Sequence, residues 1–169
     1  MPRGQRTCLR DSGEVMDQAA AVIVTRPEPD NTRLCARLTE VGWRTWSCPL
    51  IGIGPRPLGH VERQAVQNLE RYDHVVFVSR NAARIGMAVI DQFWTRLPAA
   101  PTWFAVGEGT ARELEPFGIH AQVPPLATSE GLLGIAQLQF VRGVRCLLVR
   151  GPVGRTVLRD TLVQLGAIV

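Results

Sequence analysis

A chain of 169 residues that is 46% apolar and 20% charged has a globular rather than a disordered composition, with room for one ordinary domain or for one domain and part of another. The formal net charge is +4, and all 19 basic residues are arginine. They are scattered, without the basic run or aromatic platform that nucleic-acid binding uses, so nucleic acid is not an expected partner.

An arginine palette suits carboxylates and phosphates, which the guanidinium fork meets two bonds at a time, although codon bias alone would also give that count. Cys8, Cys35, Cys48 and Cys146 lie far apart and form no CxxC, which argues against a zinc site and against a disulfide framework. Cys35 and Cys146 sit among apolar neighbours and read as buried thiols in a reducing compartment. No stretch reaches the roughly 18 apolar residues of a membrane span, and the leader "MPRGQRTCLRDSGEVMDQAA" lacks an apolar signal core. A cytoplasmic protein is expected, with residues 1–20 a disordered or mis-started extension.

In chain order, residues 20–42, "AAVIVTRPEPDNTRLCARLTEVG", read as a strand, a Pro-containing turn and a helix that stops at glycine, with Leu34, Leu38 and Val41 on one face and Asp30 as N-cap. "WRTWSCPLIGIGP" alternates as a second strand, and "GPRPLG" is a linker. A helix over about 60–69 leads into the strand "DHVVFVS" and the turn and helix "RNAARIGMAVIDQF". "TWFAVGEGTARELEPFG" repeats the strand–turn–helix pattern, "TSEGLLGIAQL" is a capped helix, and "RGVRCLLVRGPVGRTVLRDTLVQLGAIV" closes the chain. Short β-rich runs alternating with helical ones predict α/β architecture, and strands apolar on both faces predict doubly wound parallel sheets covered from both sides.

Ligands of such sheets bind beyond the carboxyl ends of the strands. Four turns fall there: Thr25-Arg26-Pro27, Ser79-Arg80-Asn81, the turn from Gly107 through Gly109 and Thr110, and the loop carrying Arg150, Gly151 and Arg155. The two glycines invite a dinucleotide reading, but Arg112 stands where the third glycine should, and no acidic residue ends a second strand at the required distance. A tight turn needing glycine φ/ψ freedom accounts for at least one of them. Arg150 and Arg155 would flank free backbone N–H groups at a helix start, or else be simply solvated. Ser79 or Asn81 reads first as a helix cap. His60, His74 and His120 stand alone, as surface or strand-edge residues, and Trp43, Trp46, Trp94 and Trp103 read as core or rim fillers.

Taken together, "VIVTRPEPDNTRLCARLTEVGW…CPLIGIGP", "YDHVVFVSRNAA", "WFAVGEGTARELEPFGI", "ATSEGLL" and "LLVRGPVGRTVLRDTLVQLGA" resemble uroporphyrinogen-III synthases, in the right order and over about residues 21–169. The resemblance implies a cofactor-free lyase that cyclises the linear tetrapyrrole hydroxymethylbilane to uroporphyrinogen III, with loss of water and inversion of ring D. It implies two flavodoxin-like domains with the site in the cleft between them, the first discontinuous and incomplete in this chain. Residues 21–53 would be the opening piece of that domain and residues 54–169 the second domain. Carried over residue by residue, Thr110 would be the substrate contact or proton carrier. Thr25, Arg26, Pro27, Ser79, Arg80, Asn81, Gly107, Gly109, Ser129, Arg150, Gly151 and Arg155 would meet the substrate. A monomer without membrane or nucleic-acid partners is the expectation.

Two departures follow from the same resemblance. The family tyrosine would come after the strand that begins at Ala167, and Tyr72, the sole tyrosine, precedes a different strand. The ending "GAIV" reads as a strand cut short, so a truncated copy of low or no activity is expected. The alternative is a non-catalytic α/β anion-binding domain derived from the family; a nicotinamide or flavin oxidoreductase is disfavoured by Arg112.

Overall fold

The run His74-Val75-Val76-Phe77 offers no polar side to water, and in the fold it is used as the middle of a sheet. The structure is a computed structural model that describes residues 20–169, so the expectation for the leader, with Cys8, lies outside the described residues apart from Ala20. Two units meet in sequence at Ile53 and Gly54.

In the larger unit, strand β3 (His74–Phe77) pairs in parallel with β4 (Thr102–Ala105) on one side and β5 (Cys146–Val149) on the other. Isolated parallel bridges, Phe104 with Gln122 and Arg145 with Ile168, extend each edge. The chain therefore steps outward from β3 through β4 to Gln122, returns to the far side of β3 for β5, and steps outward again. The direction of progression reverses between β3 and β5.

Side-chain alternation along the strands feeds two apolar clusters. Val75 and Phe77 pack with Ala83, Met87 and Ile90 of helix α3 (Arg80–Ile90) and with Ala111 of the short α4 (Glu108–Ala111). Val76 and Phe104 pack with Leu132 of α5 (Ser129–Leu133), Leu138 of α6 (Ala136–Gln139) and Leu158 and Leu162 of α7 (Val157–Gln164). Each fully buried side chain of this kind stabilises by about 1.5–3 kcal/mol, so helices on both faces follow from the strand composition. Trp103 stacks on Phe77 at 6.2 Å between ring centroids. The Trp94 indole N–H donates to the carbonyl of Val66, in helix α2 (His60–Gln67), at 2.7 Å. Tyr72 packs half-buried against the first cluster.

The smaller unit has strand β1 (Ala21–Val24) parallel to β2 (Arg44–Ser47), connected through α1 (Asp30–Glu40). Trp43 and Trp46 do not fill a core: both are exposed, Trp46 at 63%, opposite its register partner Ile23 at 65%. One helix covers one face of this two-stranded sheet, and these side chains fall on surface it leaves uncovered.

Asp30 does not cap α1. The cap position falls on Pro29, and the Glu28 carboxylate accepts from the Thr32 N–H at 3.2 Å and the Thr32 hydroxyl at 2.9 Å. The organising polar group is Asn31, which is fully buried. Its Nδ2 donates to the carbonyls of Val24 at 2.7 Å and Arg26 at 3.0 Å, while Oδ1 accepts from the Ser47 hydroxyl at 2.7 Å and the Cys35 thiol at 3.5 Å. One amide thus ties the carboxyl ends of β1 and β2 to the helix start, with Cys35 half-buried beside it. Asn31→Ala leaves the Val24 carbonyl and the Ser47 hydroxyl without their partner. It is expected to cost about 2 kcal/mol, seen as a lower urea midpoint and faster amide exchange in β1 and β2.

Candidate functional site

The carboxyl ends of β3, β4 and β5 emit the predicted loops, and three observed approaches string them together. After β3, Ser79 caps α3 by accepting from the Ala82 N–H at 3.0 Å. Asn81 does not cap; its Oδ1 accepts from Arg84 Nη2 at 2.8 Å. The stem of Arg80, the first residue of α3, crosses over Gly109, where an added Cβ would lie 3.2 Å from Arg80 Cδ. At Gly107 an added Cβ would lie 2.7 Å from the Cβ of Ala127. Next to Ala127, Thr128 caps α5 through its hydroxyl, 2.9 Å from the Gly131 N–H, and Ser129 is the first helical residue. From α5, Glu130 reaches the last loop, its Oε1 2.8 Å from Arg155 Nη1. The loops holding Arg80, Thr110, Ser129 and Arg155 therefore adjoin in series along one rim.

This corrects the sequence reading of the glycine turn. Gly107 has φ 178°, extended backbone open to any residue, and Gly109 is not among the positive-φ glycines. Both are bare because neighbours press on them, Ala127 on one and Arg80 on the other. The helix expected after this turn is also shorter: α4 ends at Ala111, and a separate 3₁₀ turn, Glu115–Phe117, follows. Arg112 is exposed beyond the end of α4.

Both arginines of the last loop are engaged by other described residues rather than simply solvated. Arg150 donates to the carbonyls of Gly151 at 3.1 Å, Arg155 at 3.3 Å and Gly154 at 3.1 Å, and so shapes the loop from inside. Arg155 is matched to Glu130, whose carboxyl is held below the usual range by its own backbone N–H, by the Arg155 guanidinium and by the Thr128 hydroxyl. Thr110 is 4% exposed. Its backbone N–H donates to the carbonyl of Gly107 at 2.9 Å, which ties it into the turn. In the smaller unit, Thr25 and Arg26 are exposed and Pro27 is half-buried, on the turn whose Arg26 carbonyl Asn31 holds.

Asn31, Glu130 and Thr128 were not singled out as site-building residues in the sequence. Thr128 left a local signal, as a threonine opening a helical run, and Glu130 another, as an acid near that helix's cap.

A cavity of about 600 Å³, with Trp94, Trp103, Phe117 and His120 in its walls, lies at the opposite, amino end of β4. The rim remains the better candidate, because the open crevice of a parallel sheet is at the strands' carboxyl ends. Tyr72, which comes before β3, also belongs to the amino end.

A parallel sheet packed against helices, with four connecting loops adjoining at its carboxyl ends, places the larger unit among α/β proteins with parallel sheets. The family model described as uroporphyrinogen-III synthase HemD matches residues 32–169. The uroporphyrinogen-III synthase of Proteus mirabilis is 31% identical over 151 residues, 88% of this chain and 76% of that one. That of Salmonella typhimurium strain LT2 is 34% identical over 150 residues, 87% of this chain and 61% of that one. The chain belongs to the uroporphyrinogen-III synthase family. The fold is similar to crystal structures of uroporphyrinogen III synthase from the extremely thermophilic bacterium Thermus thermophilus. The wild-type form has a TM-score of 0.51 at 20% identity, covering 88% of this chain and 58% of that one. A mutant form has a TM-score of 0.59 at 19% identity, covering 86% and 57%. The chain thus spans about three fifths of the length of several of its relatives.

Two outcomes test this geometry. Gly107→Ala forces its Cβ onto Ala127 and is expected to destabilise the larger unit by about 1–3 kcal/mol in chemical denaturation. Cys146, buried at the start of β5, has its thiol pushed up to about 11 by burial and by the Asp73 charge. A raised folded-state pKa favours the protonated form, so its contribution is complete below pH 9 and is lost as pH rises towards 11. Stability measured across that interval should fall less steeply in Cys146→Ala.

Proposed function

We propose that the chain acts in tetrapyrrole synthesis as a uroporphyrinogen-III synthase. It would hold hydroxymethylbilane along the rim while the terminal hydroxyl leaves as water and the ring closes with ring D inverted. The observation that carries the reading is the series of loops along one rim, Arg80 over Gly109, Gly107 against Ala127, and Glu130 with Arg155, in a chain of this family. The bilane bears eight carboxylates and closes unaided to the wrong isomer. The enzyme's task is therefore to fix one conformation of a flexible polyanion, which is orientation chemistry first.

In this reading Thr110 contacts the substrate or carries the proton that assists loss of water. Ser79, Arg80, Asn81, Ser129, Arg150, Gly151 and Arg155 meet or shape the binding of carboxylates, and Thr25, Arg26 and Pro27 contact substrate from the smaller unit. The finer architecture belongs to the same proposal: two doubly wound, flavodoxin-like domains, the first represented here by two strands and one helix. A monomeric, cytoplasmic enzyme that uses no cofactor completes it.

A second reading, a non-catalytic anion-binding domain, is favoured by the uncovered apolar side chains of the smaller unit, Ile23, Trp46 and Leu50 among them. A weakly packed unit would hold the Thr25–Pro27 turn loosely and slow turnover. The test is incubation with enzymatically generated hydroxymethylbilane, then oxidation and separation of isomers. Isomer III above the spontaneous background is expected, at a rate well below that of the Proteus mirabilis relative. Isomer I alone, with uroporphyrin still bound, would leave the anion-binding reading in place of the synthase.

A further inference from the structure

We infer that the cavity at the amino end of β4 is a second ligand site, apart from the rim, for a small aromatic molecule that carries both an ammonium and a carboxylate group. At about 600 Å³ it falls within the roughly 300–1,000 Å³ of small-molecule sites. Its lining is drawn from the larger unit alone: from between residues 91 and 99 after α3, from Pro101 and Trp103 at β4, and from residues 116–120. None of the rim residues takes part in it.

The aromatic walls are held by the protein's own contacts. Trp94 is fixed through its indole N–H, which the Val66 carbonyl accepts at 2.7 Å, so that its one polar side-chain atom makes no demand on a ligand. Trp103 stacks on the fully buried Phe77, with the two rings 14° from parallel. Phe117 ends the 3₁₀ turn, which closes through the Gly118 N–H on the Glu115 carbonyl at 2.9 Å, with Gly118 at φ 72°, where a side chain would be strained. Phe117 is nonetheless 37% exposed and belongs to neither apolar cluster. Walls already fixed by packing cost a ligand little in side-chain ordering.

The charges decide the class of ligand. Asp91 and Arg96 flank Trp94 in the chain, and both are exposed members of the cavity lining. An aromatic anion would answer Arg96 and leave Asp91 near a like charge, and an aromatic cation would do the reverse. A ring that carries both groups answers both. Each charge-assisted bond also adds a direction that the contact of ring on ring lacks.

The experiment titrates L-tryptophan, tryptamine, 3-indolepropionate and glycine into the whole chain by calorimetry, and repeats the series with Asp91→Asn, Arg96→Gln and Phe117→Ala. L-Tryptophan should bind saturably, tryptamine and 3-indolepropionate each about tenfold more weakly for want of one charged group, and glycine not measurably. Arg96→Gln should abolish the preference for L-tryptophan over tryptamine and keep that over 3-indolepropionate. Asp91→Asn should do the opposite, a split that a general loss of structure would not produce. Phe117→Ala should weaken all three indoles about three- to tenfold, through the lost ring contact. A chain that binds L-tryptophan no better than glycine overturns the inference. So do Asp91→Asn and Arg96→Gln variants that leave both preferences unchanged or weaken the three indoles alike.

Discussion

Strand β3 is hydrogen-bonded on both edges and buried on both faces, with Val75, Val76 and Phe77 inaccessible to solvent. No polar side chain can work from the middle of such a strand without a large desolvation cost, so the chemistry is pushed to where the backbone leaves the sheet. The strand progression reverses beside β3, the kind of switch point at which open parallel sheets characteristically place a ligand crevice. Ser79 and Arg80 follow β3 at that end and Arg150 to Arg155 follow β5. Thr110 reaches the same rim from β4. The position of the candidate site is thus a consequence of core packing.

Close packing also explains the bare backbone of the Gly107–Thr110 turn. An apolar neighbour fills the place of one Cβ and an arginine stem fills the other. Neither would be found by asking which torsion angles a nucleotide-binding loop needs. The torsions are ordinary; the crowding comes from residues 20 and 29 positions away in the chain, Ala127 and Arg80.

That distinction marks how much was legible in the sequence. Alternating β-rich and helical runs predicted mixed α/β architecture with parallel strands, because period and composition are local properties. The Ser79 cap was legible for the same reason, as were the isolated positions of the histidines. What was hidden depends on partners brought by the fold. Asn31 looks like a helix-start residue beside Asp30, and its four hydrogen bonds to Val24, Arg26, Ser47 and Cys35 exist only once β1 and β2 pair. Trp43 and Trp46 look like core residues by type, yet the smaller unit has too few elements to cover them. Arg150 and Arg155 look like free cations because neither Glu130, 25 residues away, nor the curl of the 151–155 backbone is visible in a linear string.

The internal engagement of those arginines bears on how a polyanion could be held. Arg155 and Glu130 are both exposed, and an exposed ion pair is worth about 0–1 kcal/mol. A ligand carboxylate replacing Glu130 therefore exchanges one weak pairing for another and gains little at that point alone. Arg150, by contrast, bonds three carbonyls of its own loop, and removing it to a ligand would cost the loop its shape. Neither arginine of this loop is a strong electrostatic anchor, and under the proposed function selectivity would come from several modest contacts satisfied together, which only one conformation of a flexible ligand can do. Such an arrangement discriminates shapes rather than charges, and a reaction whose difficulty is choosing between two ways of closing the same ring requires that kind of discrimination.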